Sequence, residues 1–299
     1  MITYFNRDQK NAIISGGEQR KQLVEFLEEV CDPESRRSKR HAYVGGTAGF
    51  GKSHSVFEAA EKSGLPVKTV KGQTSLVGLA QSLAVLKATH WNETVIVVID
   101  DCDKLFSNEE NLNAMKAVLL DGFDDEGNYK GEFRYEKNMH LNSFPEGIIR
   151  DSVEVFMNEG QAGFVIDLSN FRFIVTSNST LPSAKTVRVQ KNALKQKGID
   201  SSPKIDKLEA RNAVRTRCRY KTIDISQEDL WGSFASILMQ ETEQSDLSED
   251  QKKFILNWMW INRYESSDFD YRQILDMCDD VRDLGLEEAM NRWDFNYLD

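Results

Sequence analysis

The sequence lacks the patterns typical of membrane, zinc-binding and disulfide-stabilised proteins. No run reaches the ~18 consecutive apolar residues that a membrane-spanning helix needs, so we expect no membrane partner. Its four cysteines lie far apart, at spacings that suit neither a zinc site nor a disulfide framework: Cys31, Cys102, Cys218 and Cys278. The N-terminus has no basic start followed by an apolar core, which predicts no signal peptide. We therefore expect a reduced, cytoplasmic protein.

Positive charge is scarce in this chain, whose formal net charge is −10, yet it is concentrated in one segment. Residues 183–221 hold twelve lysines and arginines against three acids, whereas residues 224–299 hold nineteen acids and six bases. The acidic tail also carries large apolar side chains at helical spacing, which predicts a folded helical subdomain with an acidic exterior. Arg215, Arg217 and Arg219 stand at alternate positions, so an extended backbone would place them on one face.

Apolar periodicity predicts helices that alternate with strands. The predicted helices cover residues 17–31, 51–63, 75–88 and 108–120, and the predicted strands cover residues 67–70, 94–99, 171–176 and 221–225, besides a short run, HAYVGG, before the first glycine-rich loop. The apolar and β-branched run at 94–99 is typical of a strand buried on both faces, as in a parallel sheet. Such alternation favours an α/β layer structure with right-handed crossovers.

Two long segments interrupt this alternation. Residues 121–170 are rich in glycine, asparagine and aspartate, and their EFRYE and GFVID runs predict β-hairpins, with a short helix near 148–156. Residues 183–211 form a basic, polar insertion with few large apolar side chains. These two segments are candidate insertions in the α/β core.

The strongest motif is a glycine-rich loop between a predicted strand and a predicted helix. It matches G-x-x-x-x-G-K-[ST] in full, with the residues Gly46, Thr47, Ala48, Gly49, Phe50, Gly51, Lys52 and Ser53. In such a loop backbone N–H groups surround phosphate oxygens, Lys52 neutralises the β and γ phosphates, and Ser53 offers a hydroxyl to Mg²⁺. His54 follows directly and is also a candidate for nucleotide binding. The alternative is a glycine-rich turn that arose by chance.

Acidic and amide side chains follow two of the predicted strands. VIVVIDDCD places Asp100 at a strand end, where it can lie near Mg²⁺, and Asp101 is the next acid. FRFIVTSNS brings Asn178 to the end of another strand, where an amide can hydrogen-bond a γ-phosphate and an attacking water. The alternative is that the acids only solvate a strand end and that the asparagine serves a turn.

The order of these parts resembles that of the AAA+ ATPases, and most of all those encoded by bacteriophages. The glycine-rich loop, the apolar strand ending in Asp-Asp, the strand followed by Thr-Ser-Asn, the arginines and the helical C-terminus carry this resemblance. It implies an α/β, three-layer parallel-sheet P-loop NTPase core at residues 41–225, after an N-terminal helical segment at 1–40. It also implies a small α-helical lid at 226–299, ATP and Mg²⁺ as cofactors, and the host cytoplasm as the location of a phage protein.

The resemblance extends to arginines that complete such sites. Thr216-Arg217-Cys218 is similar to the Ser-Arg-Cys of clamp-loader ATPases, in which the arginine reaches the γ-phosphate bound by a neighbouring subunit. This implies that Arg217 is the trans arginine finger, with Arg215 and then Arg219 as the next candidates. A second sensor arginine in the lid is implied as well, and FDYRQILDM offers Arg272, although Arg272 could instead be a surface residue paired with Asp268 or Asp276.

Three features depart from the family pattern. Asp101 stands where the family usually has glutamate, and the insertions at 121–170 and 183–211 are unusual. Separately, FNRDQKNAI resembles the start of superfamily 1 helicases, in which a glutamine such as Gln9 reads adenine. The alternative for Gln9 is a solvated helix residue.

The resemblance implies a homo-oligomeric ring that hydrolyses ATP to drive conformational change. The clamp-loader-like motif and the basic segment 183–221 favour a DNA transaction, such as loading a clamp or helicase together with a replication protein. The main alternative is a chaperone-like protein remodeller that grips a polypeptide through aromatic residues of the first insertion, namely Phe133, Tyr135, Phe144 and Phe156. A scaffold with a degenerate nucleotide site and a P-loop kinase also remain open.

Overall fold

The structure is a computed structural model that describes residues 4–35, 39–72, 74–120, 131–135, 142, 144, 146–154, 164–197, 202–240, 247–264 and 271–297. The chain divides into two compact units. Unit 1 comprises Met1–Phe26, Thr47–Ser55 and Ile223–Asp299, and unit 2 comprises Leu27–Gly46 and Val56–Thr222. Each unit is considered by itself.

The described strands form a five-stranded parallel sheet and a separate antiparallel pair. The strands are β1 (Ala42–Gly46), β2 (Val67–Lys71), β3 (Val95–Asp100), β4 (Glu132–Tyr135), β5 (Phe164–Asp167), β6 (Phe171–Ser177) and β7 (Arg219–Ile223). The larger sheet has the order β2-β3-β6-β1-β7, and β4 pairs with β5. Every residue of β1, β3 and β6 is buried, as expected for parallel strands covered on both faces.

Helices occupy most of the remaining described chain. They are α1 (Arg7–Cys31), α2 (Lys52–Ser63), α3 (Leu76–Thr89), α4 (Glu109–Val118), α5 (Ile148–Glu154), α6 (Ala184–Lys195), α7 (Pro203–Arg217), α8 (Gln227–Leu238), α9 (Glu249–Asn262), α10 (Tyr271–Leu284) and α11 (Leu286–Tyr297). A short 3-10 helix, Asp103–Phe106, follows β3. The α/β class predicted from sequence is confirmed, and the sheet is compatible with the predicted three layers.

Most predicted elements are confirmed to within one or two residues at each end. The EFRYE and GFVID runs do pair as antiparallel strands, with Phe133 opposite Ile166. The predicted helix near 148–156 corresponds to α5, and its last two residues lie outside the described part of the chain. The helical C-terminal region is confirmed by α8 to α11.

Helix α1 begins ten residues earlier than the sequence predicted. Asn6 and Gln9 cap its start, since the Gln9 N–H donates to Asn6 Oδ1 at 2.9 Å and the Asn6 N–H donates to Gln9 Oε1 at 3.0 Å. The Gly16-Gly17 pair lies inside the helix rather than before it. A Cβ on Gly16 would stand 2.0 Å from the carbonyl oxygen of Asp229 in α8, so the glycine allows the two helix backbones of unit 1 to approach closely.

The basic insertion is helical, which the sequence reading did not predict. Ser183 and Ser202 accept hydrogen bonds from the N–H groups of the third residues of α6 and α7, and Pro203 occupies the first turn of α7. Helix α6 buries only Val187, so little of its surface contributes to the apolar core of unit 2. Because α7 continues to Arg217, the arginines at 215, 217 and 219 do not share one face of an extended segment, and that premise is wrong.

Two polar side chains, those of Arg172 in β6 and His41 just before β1, are buried in unit 2. Arg172 of β6 donates to the carbonyl oxygens of Val30 at 2.8 Å and Pro33 at 2.9 Å, and thereby satisfies the C-terminal end of α1. The Nδ1 atom of His41 accepts a hydrogen bond from the Phe173 N–H at 3.1 Å. Burial, together with the charges of Arg40 and Arg172, lowers the pKa of His41 to about 3, so this imidazole is neutral in the folded protein.

Candidate functional site

The carboxyl ends of β1, β3 and β6 bring several predicted site residues to one edge of the sheet in unit 2. The register places Gly45 opposite Ser177 and Asp100 opposite Thr176. Gly46, the first residue of the glycine-rich loop, ends β1 at this edge, and Asn178 follows β6 there. Open α/β sheets bind their ligands outside the carboxyl ends of the strands, so this edge is the candidate site.

Asp100 is a buried carboxylate held by a neighbouring strand. It is 7% exposed, and the hydroxyl of Thr176 donates to its Oδ1 at 2.5 Å. The hydroxyl fixes the direction of the carboxylate, as an outer-shell partner does for a metal ligand. In the sequence Thr176 stands out only as part of the FRFIVTSNS run, and its pairing with Asp100 on the neighbouring strand is visible only in the structure.

Asp101 has the one positive φ among the described non-glycine residues, at 51°. Its side chain is exposed, and its N–H donates to the Thr176 carbonyl at 3.2 Å. Left-handed backbone at a non-glycine residue costs on the order of 1–3 kcal/mol and is concentrated at functional sites. The chain therefore turns sharply directly after Asp100, and this turn sets where the second acid stands.

The glycine-rich loop has the backbone of an anion-binding turn. Gly46, Gly49 and Gly51 have φ values of 121°, 74° and 77°, a region that side chains disfavour. Within unit 1, the Thr47 N–H donates to the Ile223 carbonyl at 2.7 Å, and Lys52 Nζ donates to the Thr47 carbonyl at 2.8 Å. Successive glycines in such conformations can turn backbone N–H groups toward one point, which makes an anion-binding concavity.

Two side chains at the end of the glycine-rich loop are buried, whereas others in the motif are partly or fully exposed. Phe50 is 2% exposed and Lys52 is 6% exposed, so the loop is anchored by an apolar side chain and buries its cation. Ser53 is half-buried at the start of α2, Ala48 and His54 are exposed, and α2 supplies a helix N-terminus for an anion.

Gly45 is a site residue that the sequence motif did not include. A Cβ at this position would stand 2.5 Å from the Ser179 carbonyl oxygen, which no side chain tolerates. The glycine therefore lets β1 approach the segment that follows β6. Its only sequence signal is that it directly precedes the motif.

Asn178 is exposed, and hydrogen bonds hold the residues on both sides of it in place. Ser177 Oγ donates to Asp103 Oδ1 at 2.5 Å and accepts from the Ser179 N–H at 2.9 Å. Tyr43 Oη donates to the Ser179 carbonyl at 2.9 Å. The sequence did not predict these contacts, two of which, Ser177 to Asp103 and Tyr43 to Ser179, join residues far apart in the chain.

Each candidate finger arginine contacts its own chain. Arg215 donates to the Leu181 carbonyl at 2.7 Å, and Arg219 forms an ion pair with Glu29. Arg217 donates to Ala213, one turn earlier in α7, at 2.9 Å, while its Nε is buried without a hydrogen-bond partner among the described residues. Of the three, Arg217 thus has only a local contact within its own helix.

Arg272 and Gln9 both lie in unit 1. Arg272 is exposed on α10, and within the described residues no ion pair joins it to Asp276, whereas Asp268 lies outside them. Gln9 is 4% exposed, so the alternative of a solvated helix residue is wrong. Its amide caps α1 and donates to Asn257 Oδ1 at 3.1 Å, which explains the glutamine without an adenine contact.

The aromatic residues proposed to grip a polypeptide are mostly buried. Phe133, Tyr135 and Phe144 are 1%, 5% and 3% exposed and pack in the core of unit 2. Phe156 lies outside the described residues. The described aromatics therefore pack as the core of the insertion and are not available to grip a chain.

A basic groove runs between α6 and α7 in unit 2. It encloses about 360 Å³ and is lined by Ala184, Val187, Arg188, Lys191, Asn192, Lys195, Glu209 and Asn212. Glu209 forms an ion pair with Lys191. No acidic side chain of the described residues pairs with Arg188 or Lys195, so the groove keeps a positive charge.

Comparisons with known proteins do not assign the chain to a family: no protein-family model matches it, and no curated protein does either. Across the described helices, none is long and apolar enough to cross a membrane. In that same part of the chain, no three histidine, cysteine, aspartate or glutamate side chains are grouped to hold a metal ion.

Proposed function

We propose that this protein is an ATP-hydrolysing P-loop ATPase of the AAA+ type. The observation that carries the proposal is the sheet edge of unit 2, where β1 ends in Gly46, the first residue of the glycine-rich loop, and β3 ends in the buried, hydrogen-bonded Asp100. The positive φ values of the loop glycines add a backbone suited to phosphate. No other described segment combines these features.

The proposed site assigns one role to each group of candidate residues. The loop N–H groups and Lys52 bind the β and γ phosphates, and the N-terminus of α2 adds its dipole. Ser53 and Asp100 would hold Mg²⁺, which prefers hard oxygen ligands and takes the rest from phosphates and water. When bound, Mg²⁺ neutralises charge that develops on the phosphates. Asp101 and Asn178 orient the attacking water and the γ-phosphate.

The test is phosphate release from ATP by the purified chain, compared between two lysine variants. Lys52→Ala removes the phosphate-binding cation, so binding of a fluorescent ATP analogue and turnover should both be lost. Lys62→Ala is the matched control, because Lys62 lies in the same helix but pairs with Glu28 at the surface. Equal turnover in both variants, or no nucleotide binding by the unchanged protein, would refute the proposal.

The proposed ATPase works as a ring in which Arg217 is the finger. Among the described residues, Arg217 donates to the Ala213 carbonyl of its own helix, an acceptor that a γ-phosphate can replace. An arginine finger contributes about 10³-fold or more to turnover, so Arg217→Ala should abolish hydrolysis and spare ATP binding. Particle mass should rise with a non-hydrolysable ATP analogue. A chain that stays monomeric and transfers phosphate to an acceptor would instead be a kinase.

The α6–α7 groove supports DNA as the substrate of the motor. Arg188 and Lys195 offer positive charge to a phosphate backbone, and such contacts weaken steeply with salt. The double variant Arg188→Ala/Lys195→Ala should lose DNA affinity and reduce the salt dependence by roughly two counterions. The double variant Lys204→Ala/Lys207→Ala is the control, because these exposed α7 lysines are outside the groove. Unchanged DNA affinity in the groove variant would refute this part.

A further inference from the structure

The loop between β6 and α6, residues 178–182 (the Asn178 loop), is held by side chains from distant parts of unit 2. Tyr43 Oη donates to the Ser179 carbonyl at 2.9 Å, and Arg211 donates to the Thr180 carbonyl at 3.0 Å. Arg215 donates to the Leu181 carbonyl at 2.7 Å, and the Leu181 N–H donates to Tyr220 Oη at 2.9 Å. Three consecutive residues after Asn178 are therefore bonded through their backbones.

Three of these side chains also stack on one another. The guanidinium carbon of Arg215 lies 3.9 Å from the centre of the Tyr220 ring. Tyr220 stacks on Tyr43, with ring centroids 5.6 Å apart and planes inclined by 19°. We call Tyr43, Arg211, Arg215 and Tyr220 the loop brace. The stacking fixes the orientation of the groups that hold the loop, because each member restricts its neighbour.

The chemistry of the loop brace depends on arginine at position 215. A guanidinium can stack on an aromatic face through its plane while its edge donates to a carbonyl, whereas an ammonium cannot do both. Burial raises the pKa of Tyr43, so its hydroxyl remains a proton donor to Ser179. Tyr43 and Arg215, at the two ends of the stack, therefore both donate hydrogen bonds to backbone carbonyls of the Asn178 loop.

We propose that Arg215 and Tyr220 are positioning residues that hold the Asn178 loop of their own subunit in its working geometry. The inference rests on the proposed ATPase function, since Asn178 is its candidate contact to the γ-phosphate and the attacking water. Arg215 acts within its own chain and is not the finger for a neighbour. Because Arg215 lies on α7, any movement of this helix is passed to Asn178 through the Leu181 backbone.

Steady-state kinetics separate positioning from simple stabilisation. Arg215→Ala should lower kcat by about tenfold or more and leave KM and nucleotide affinity within about twofold, because misplacing a catalytic group affects the transition state. Arg215→Lys should recover only part of kcat. Tyr220→Phe keeps the stack but removes the acceptor for the Leu181 N–H, so it should lower kcat by a smaller factor.

Arg40→Ala is the matched control. Arg40 donates to the Ser169 carbonyl at 2.9 Å, so it also braces a loop, but at the opposite end of β6. Its removal should leave kcat unchanged. Wild-type kcat in both Arg215→Lys and Tyr220→Phe, or a loss of kcat in Arg40→Ala equal to that in Arg215→Ala, would overturn the inference.

A mixing experiment distinguishes the two roles of an arginine. Lys52→Ala subunits, which lack a working phosphate site, are mixed with Arg217→Ala or with Arg215→Ala subunits. A finger acts across the interface, so the Arg217→Ala mixture should regain turnover, while the Arg215→Ala mixture should not. Recovery in the Arg215→Ala mixture would overturn the inference.

Amide hydrogen exchange tests the loop brace without relying on ATP hydrolysis. The Leu181 N–H should exchange at least tenfold faster in Tyr220→Phe and Arg215→Ala than in Arg40→Ala. Unchanged exchange refutes the loop brace itself. If these variants exchange faster but the unchanged protein hydrolyses no ATP, the loop brace is supported and the proposed function is refuted.

Discussion

The hydrogen bond between Thr176 and Asp100 offers the sharpest test of the site. Thr176→Val replaces the hydroxyl with a methyl group of similar size, so the buried packing of β6 is kept. Asp100 then loses the donor that lies 2.5 Å from its Oδ1. We expect the carboxylate to keep its place on β3 but to lose its fixed direction.

The size of the effect follows from the burial of both partners. Thr176 is 1% exposed and Asp100 is 7% exposed, so water replaces the lost hydroxyl poorly. A hydrogen bond to a charged group contributes about 1.5–3 kcal/mol, which corresponds to roughly a 10- to 100-fold change. Outer-shell partners of metal ligands give losses of about the same size.

The assay is the rate of ATP hydrolysis measured across a range of Mg²⁺ concentrations. Thr176→Val should need more Mg²⁺ for half-maximal turnover and should reach a lower maximal rate. Binding of a fluorescent nucleotide without Mg²⁺ should be unchanged, because the glycine-rich loop is untouched. Thermal unfolding confirms that the variant is folded.

Thr176→Ser is the matched control. It keeps the hydroxyl and removes a buried methyl group, which costs about 1 kcal/mol of unfolding free energy. The control should therefore lose stability and keep its Mg²⁺ dependence. If Thr176→Val kept the Mg²⁺ dependence of the unchanged protein, the assignment of Asp100 to Mg²⁺ would be refuted.

Two further predictions concern the fold. Gly16→Ala should lower the melting temperature, because its Cβ would stand 2.0 Å from Asp229 O and overpacking costs about 1–3 kcal/mol, whereas Gly17→Ala, whose nearest atom is at 3.3 Å, should be neutral or stabilising. Equal melting temperatures would contradict the close approach of α1 and α8. The pKa of His41, lowered to about 3, means that the unfolded chain binds a proton below pH ~6.5 and the folded chain does not. Between pH ~6.5 and about 3 the free energy of unfolding should therefore fall by about 1.4 kcal/mol per pH unit as the pH is lowered. His41→Asn retains an acceptor for the Phe173 N–H and should remove this contribution to the slope in urea titrations. A slope unaltered in the variant would contradict a neutral buried imidazole.

Several elements were predictable because their signals are local. The apolar run of β3 specifies a strand buried on both faces, and the glycines of the loop mark positive φ at Gly46, Gly49 and Gly51. The loop motif and Asp100 were also visible as patterns within a few residues. That Gly46 and Asp100 stand at the same edge of the sheet follows once the strands are parallel, since their carboxyl ends then coincide.

The basic insertion was not predictable in the same way. Its helices bury only three apolar side chains, Val187, Ile205 and Val214. The local signals for these helices in the sequence are the Ser183 cap and the Ser202-Pro203 pair. The start of α1 was missed because Gly16-Gly17 resembles a break in sequence. The close approach of α8 in unit 1 explains why Gly16 stands within that helix.

The sequence by itself determined the α/β class, the parallel sheet and the residues of the glycine-rich loop, because each depends on neighbours within a turn or a strand. Only the tertiary structure decided what holds the strand-end residues in place. Thr176 reaches Asp100 across 76 positions, and Arg215 reaches Leu181 across 34 positions. Contacts of this range leave no periodic trace, because they depend on how strands and helices are packed in space.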